Sequence, residues 1–237
     1  IDMLPKIATP KYDMIVPSTG ESITYRPYLV KEEKILLIAM ESQSDEAMET
    51  AVIDIIELCV ETPINVKTLT TFDIEYIFVS LRAKSVGEGI KLNPTCEHCE
   101  EVNEDIKIDL DKVIVSGLEE EINMNVKLTD DISVDVTWPT MKNKLTEDDM
   151  KTGTDTLINM VARGIGTIYS GEEIFAAADS TKKELVEFVE SLGSDNFNAL
   201  LTKVSEAPQL TYDLEFKCKA CGKDNKLELK GLTDFFQ

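Results

Sequence analysis

Apolar and polar residues alternate near the start of the chain. Tyr12, Met14 and Val16 take every second position, Ile23 and Tyr25 do the same, and "PSTGES" lies between them. A period of two broken by turn residues predicts a β-hairpin over 11–29. Pro17 and Pro27 limit pairing at the strand ends. The period then lengthens. "KEEKILLIAMES" (31–42) has acids in its first turn and an apolar body. Its "ILLIAM" is the longest apolar run and fits a buried helix. "SDEAMETAVIDIIELCVET" (44–62) begins with a cap-like Ser44 and puts Val52, Ile55, Ile56 and Cys59 on one helical face, and Pro63 stops it. A third helix is predicted over 70–89. Thr71 is placed to cap it, Asp73 and Glu75 suit its positive end, and Arg82 and Lys84 suit the other.

From Lys91 the pattern changes. "KLNPTCEHCEEVNEDIKIDL" carries a CxxC and then an alternating strand around Ile106 and Ile108. "INMNVKLTDDISVDVTWP" (122–139) has two alternating runs about a polar "TDD", a second hairpin. The stretch 146–180 is ambiguous, because a helix-like core is cut by Gly164, Gly166 and Gly171. The most legible helix is "TKKELVEFVESLG" (181–193). Thr181 and Glu184 form a capping box, Leu185, Phe188, Val189 and Leu192 make the stripe, and Gly193 ends it. A short helix around "NFNALLTKVSE" runs up to Pro208, and the last stretch returns to strands with a second CxxC. No internal repeat or low-complexity linker is evident.

These elements predict an α+β fold. Residues 1–90 form an N-terminal hairpin and helical domain. Residues 91–237 form a zinc-ribbon-like β segment interrupted by a largely helical insertion at about 140–207. Pairing of the terminal strands across residue 90 is the alternative to that boundary.

Composition narrows the class. The 237 residues are 43% hydrophobic and 29% charged, which suits a globular chain with a real core. No apolar run approaches the roughly 18 residues of a membrane helix. The start has neither a basic nor an apolar signal region, so no secretory signal is expected. Ile1 and Asp2 read as a cloning remnant ahead of a natural start at Met3. With 24 basic and 45 acidic residues the net charge is −21, which repels phosphate and disfavours nucleic acid.

The cysteines carry the chemistry. There are five, Cys59, Cys96, Cys99, Cys218 and Cys221, an odd number that argues against a disulfide framework. Cys96 with Cys99 and Cys218 with Cys221 are two CxxC knuckles, each leading into a strand. Two facing knuckles supply the four thiolates of a tetrahedral structural Zn²⁺ site, one per chain, with no open position. The 118 residues between Cys99 and Cys218 then form an insertion between the halves of a ribbon. The first knuckle is acidic (Glu97, Glu100, Glu101, Glu104) and the second basic (Lys217, Lys219, Lys223, Lys226), which favours their meeting. A redox CxxC and unligated thiols are the alternatives.

Other candidates read as structural. His98, the only histidine, is expected to be an exposed knuckle residue, and a single histidine gives little basis for acid–base catalysis. Cys59 is expected as a buried small hydrophobe. Asp130–Asp131 and Asp148–Asp149 read as solvated turns. "VGEG" and "GIG" are too short for phosphate loops. Trp138 is expected at a strand end, and Phe235 and Phe236 in the core, with an exposed anchor for a partner as the alternative for that pair.

Three stretches together carry a family resemblance: "YDMIVPSTGESITYRPYLVKEEKILLIAMES" (12–42), "IEYIFVSLRAKSVGE" (74–88) and "FKCKACGKDNKLELKGLTDFF" (216–236). They resemble the baseplate proteins of T4-type contractile-tailed phages, a family that includes the baseplate hub subunit and the hub assembly catalyst or chaperone. The resemblance runs nearly end to end and is least distinctive over about 110–210. In the first stretch it follows "PSTG", "YRP", "VKEEK" and the apolar run. It implies a non-enzymatic role in building the hub, in the host cytoplasm or in the virion baseplate. It implies no catalytic residues. The partners it implies are other hub or tape-measure proteins, with no nucleic acid and no membrane. A nucleic-acid-binding zinc ribbon, using the lysines around Cys218, is the competing function.

Overall fold

The computed structural model describes residues 7–118 and 122–235. The expectations for Met3 and Phe236 lie outside the described residues. By contact density the chain forms two compact units. The first is Ile1–Val66, Phe72–Ser116 and Gln209–Gln237, and the second is Lys67–Thr71 and Gly117–Pro208.

The first unit opens with the expected hairpin, β1 (Tyr12–Ile15) and β2 (Ser22–Tyr25), paired antiparallel from Tyr12–Tyr25 to Ile15–Ser22. Its helices are α1 (Val30–Ser42), α2 (Asp45–Cys59) and α3 (Thr71–Val86). The α2 side chains Val52, Ile55, Ile56 and Cys59 are all buried, as the periodicity predicts. Ser44 caps this helix through the Ala47 N–H.

Two of the quoted motifs meet here. Arg26 of "YRP" bonds Glu32 of "VKEEK" at 3.0 Å, and the second Glu32 oxygen accepts from Leu29 N at 2.8 Å. Burial opposes the Glu32 charge. The Leu29 N–H, Arg26 and Lys31 outweigh it and hold the carboxyl below its ordinary value. From "PSTG", the Ser18 N–H donates to Asp73 of α3 at 2.9 Å. The run "ILLIAM" differs from expectation. Leu36 and Ala39 are buried, but Leu37, Ile38 and Met40 are more than half exposed. α1 buries one side, along α2, and a run of apolar letters does not say which side that is.

The rest of this unit is β-rich. Strand β3 (Gly89–Leu92) pairs with β4 (Ile106–Asp109), and β5 (Ile114–Ser116) flanks a hairpin of β10 (Gln209–Lys217) and β11 (Asp224–Lys230). One core joins Val79 and Ala83 of α3 to Ile90, Ile108, Leu210, Leu214 and Phe216. The boundary expected near residue 90 therefore falls inside this unit: the last strands return to pack on α3. Phe235, in α7 (Gly231–Phe235), is buried in the same core.

The second unit is an antiparallel sheet of β6 (Asn125–Lys127), β7 (Ile132–Val136), β8 (Ile165–Ser170) and β9 (Glu173–Ala176), with α4 (Gly153–Gly164), α5 (Lys182–Glu190) and α6 (Ser194–Ser205). It carries the expected helices and a sheet besides. The ambiguous 146–180 resolves into α4 running directly into the β8–β9 hairpin. Its glycines are not helix breakers alone. A Cβ on Gly164 would stand 2.5 Å from Val204 Cγ2 of α6, and Gly171 turns the hairpin at φ +60°. The capping box of α5 forms as read, but the helix ends at Glu190 and Gly193 precedes α6 as its N-cap; Leu185, Phe188 and Val189 of α5 and Leu192 beyond it pack on a core with Val134, Val161 and Leu200. Trp138 sits half-buried just past the end of β7.

Candidate metal centre

Each knuckle is the tip of an antiparallel hairpin. Leu92 pairs with Ile106 at the base of the first, and Lys217 with Asp224 at the base of the second. The strands form because their alternating residues bury Ile90, Leu92 and Ile108 of the first hairpin and Leu214 and Phe216 of the second in one shared core.

The tips have the same backbone. In the first, Cys96 N donates to Glu101 O at 2.9 Å and Glu100 N to Cys96 O at 2.9 Å. In the second, Cys218 N donates to Lys223 O at 2.9 Å and Gly222 N to Cys218 O at 3.0 Å. Both tips need a left-handed residue after the second cysteine, Glu100 (φ 59°) and Gly222 (φ 71°).

The hairpins bring all four sulfurs within 4.8 Å of one another. Cys96 Sγ lies 3.7 Å from Cys221 Sγ, and Cys99 Sγ lies 3.7 Å from Cys218 Sγ. A disulfide needs about 2.05 Å. A tetrahedral ion with Zn–S bonds of about 2.3 Å sets its sulfurs about 3.8 Å apart. The residues present therefore fit a four-thiolate metal. Cys96 and Cys218 are buried, whereas Cys99 and Cys221 are exposed.

The sulfurs compete for protons. The Cys218 thiol is drawn down to about 6 by the N–H of Cys221, against burial, with help from Ala220 N–H and the Asn103 side chain. The Cys99 thiol is pushed up to about 12. The Glu101 N–H lowers it, but burial and the neighbouring Cys221, Cys218 and Cys96 outweigh that. A divalent cation relieves such a conflict by letting every sulfur ionise.

Two residues missed in the sequence complete the centre. Asn103 and Asn225 are buried, 1% and 4% exposed. Each stands four positions beyond the second cysteine of its knuckle, so the two tips share the pattern C-x2-C-x3-N at 96–103 and 218–225. That short repeat corrects the expectation of none, and it was the available signal. Asn103 Oδ1 accepts from Lys219 N at 2.8 Å, and its Nδ2 faces Cys218 Sγ at 3.6 Å. Asn225 Oδ1 accepts from Glu97 N at 3.0 Å.

The knuckle charges behave differently from the sequence picture. Lys226 lies 3.5 Å from both Asp213 and Glu215 of β10, and Lys219 Nζ donates to the backbone carbonyl of Glu104 at 2.7 Å. Lys217 and Lys223 are exposed. His98 is exposed as expected, its Nε2 3.2 Å from Asp224 O. Cys59 is fully buried, and burial pushes its thiol up to about 11, as befits an inert hydrophobe.

The pair Asp148–Asp149 does not lie together in solvent. Asp148 is exposed, but Asp149 is fully buried against Arg163 (2.7 Å), Lys182 and the N–H and hydroxyl of Thr146. Its counter-charges lie far along the chain, where a carboxylate doublet gives no hint of them.

A family model described as T4 bacteriophage base plate protein matches residues 9–237. No curated protein and no solved structure matches the chain.

Proposed function

Since the chain belongs to the T4 bacteriophage base plate protein family, we propose that it is a non-enzymatic protein of the baseplate hub, either a subunit or an assembly chaperone. It acts by protein–protein association in the host cytoplasm, with hub or tape-measure proteins as partners, and without nucleic acid or membrane. Cys96, Cys99, Cys218 and Cys221 hold one structural Zn²⁺ per chain.

The family match over nearly the whole chain carries this reading. Three features support it. The sulfur set is complete, so a bound ion has no open position for substrate. The strongly depressed carboxylate, Asp149, is engaged by two cations and two Thr146 donors. Val30, Leu37, Ile38 and Met40 leave an apolar surface on α1, as a protein with partners does. No helix among the described residues is long and apolar enough to cross a membrane. The lysines near Cys218 favour nucleic acid weakly, since Lys226 and Lys219 are already engaged.

Mass-spectrometric counting in purified phage particles, against a tail protein of known copy number, separates the two roles. A small whole-number copy count makes the protein a hub subunit. Absence from particles with abundance in infected cells makes it a chaperone that leaves. Metal analysis of the purified protein is expected to find about one zinc per chain.

A further inference from the structure

The four cysteines explain which atoms would meet an ion. They do not explain what keeps two hairpins from distant parts of the chain in register around it. We propose that Asn103 and Asn225 are reciprocal positioning residues of the metal centre, each anchored in its own knuckle and ordering the opposite one. This rests on the reading of the four cysteines as metal ligands.

The bonds of the two amides are equivalent. Asn103 Nδ2 donates to Glu101 O of its own tip at 3.0 Å, while its Oδ1 accepts from Lys219 N of the other tip. Asn225 Nδ2 donates to Lys223 O of its own tip at 3.1 Å, while its Oδ1 accepts from Glu97 N of the other. Glu97 and Lys219 hold the same place, directly after the first cysteine of each knuckle. Each amide therefore uses its donor at home and its acceptor abroad, with the roles exchanged between the two tips.

The side-chain type follows from that task. Each site needs one donor and one acceptor on a short, buried side chain, and asparagine supplies both without charge. Aspartate would keep the acceptor, lose the donor and add a negative charge beside four thiolates. Alanine would leave a backbone N–H and a carbonyl of the tips without these partners. Lysine–glutamate attraction between the tips is not needed for the register, because the cross-tip bonds run through these amides and the backbone.

The test uses the full chain loaded with zinc alone and, separately, with cobalt(II) alone. Asn103→Ala and Asn225→Ala are each expected to speed zinc release to a chromophoric chelator by about 10- to 100-fold, the usual effect of losing an outer-shell partner. Each is also expected to alter the visible bands of the tetrahedral cobalt–thiolate centre. Asn103→Asp and Asn225→Asp, which keep size and the accepting oxygen, give the same readout should the alanine variants fail to fold. Leu200→Ala, in the core of the second unit, is the control. It lowers stability without touching the centre and is expected to leave release rate and spectrum unchanged. Folded asparagine variants with wild-type release and spectrum would overturn the positioning role alone. A wild-type protein that takes up neither metal would remove the ligand reading, and this inference with it.

Discussion

The two units solve the problem of holding an α+β arrangement together by different means. Among its described residues the second packs three helices on a four-stranded sheet around Val134, Val161, Leu200 and their neighbours, and it buries Asp149 among cations. The first also has a core, but its knuckle-bearing hairpins end in tips whose buried groups are sulfurs and amides. Apolar packing is insensitive to chelators, whereas a thiolate site is not. One chain thus carries one unit held by apolar packing and another whose tips, on the proposed zinc reading, would depend on an ion.

Stripping the metal should expose that difference most. Structural zinc contributes about 10–16 kcal/mol of apparent binding energy in small zinc domains. Chelation, or Cys96→Ser, is expected to deprotect the amides of β3, β4 and the β10–β11 tip while those of β6–β8 and α4 keep their protection. Hydrogen exchange read by mass spectrometry checks this, and equal deprotection in both units would erase the contrast.

The reverse perturbation is Asp149→Asn, which leaves Arg163 and Lys182 without their carboxylate. A loss of about 1.5–3 kcal/mol is expected, confined to the second unit, by denaturant unfolding, since Lys182 is half exposed and solvent screens the charge left behind. The pH dependence has a definite sign. Burial opposes the Asp149 charge, but Lys182, Thr146 and Arg163 outweigh it and hold its folded pKa well below the ordinary value. Its stabilisation is therefore fully present above about pH 3.9, the unfolded value, and is lost as pH falls through the folded one. The gap between wild type and variant should shrink below about pH 4.

Two smaller effects sharpen the packing side of the contrast. Gly164→Ala drives a methyl into Val204 and is expected to cost about 1–3 kcal/mol. Thr181→Ala removes the hydroxyl that accepts from Glu184 N and is expected to cost about 1 kcal/mol. Both are read from thermal or denaturant midpoints, and neither should change metal content.

What was legible in the sequence was local. The α2 face, the α5 capping box and the first hairpin depend on residues within a few positions of one another, and all appear as read. The four cysteines were legible because two CxxC motifs, each leading into a strand, occur in one chain, although their meeting spans 119 positions. What escaped depended on partners distant in sequence. Gly164 is needed because of Val204, Asp149 is buried because of Arg163 and Lys182, and the asparagines matter through bonds that cross between tips. The exposed side of α1 escaped for another reason: "ILLIAM" is apolar all round, so its pattern contains no direction.

The separation of the knuckles also has a meaning in time. A ribosome adding about 5–20 residues per second leaves the first pair of thiols waiting roughly 6–24 s for the second. During that interval the chain owns only half a ligand set, which holds an ion far less firmly than the whole. A chain broken off anywhere within the second unit never acquires the rest. With zinc bound as proposed, metal retention would therefore distinguish a chain translated through Cys221 from an interrupted one, before any partner has to test it.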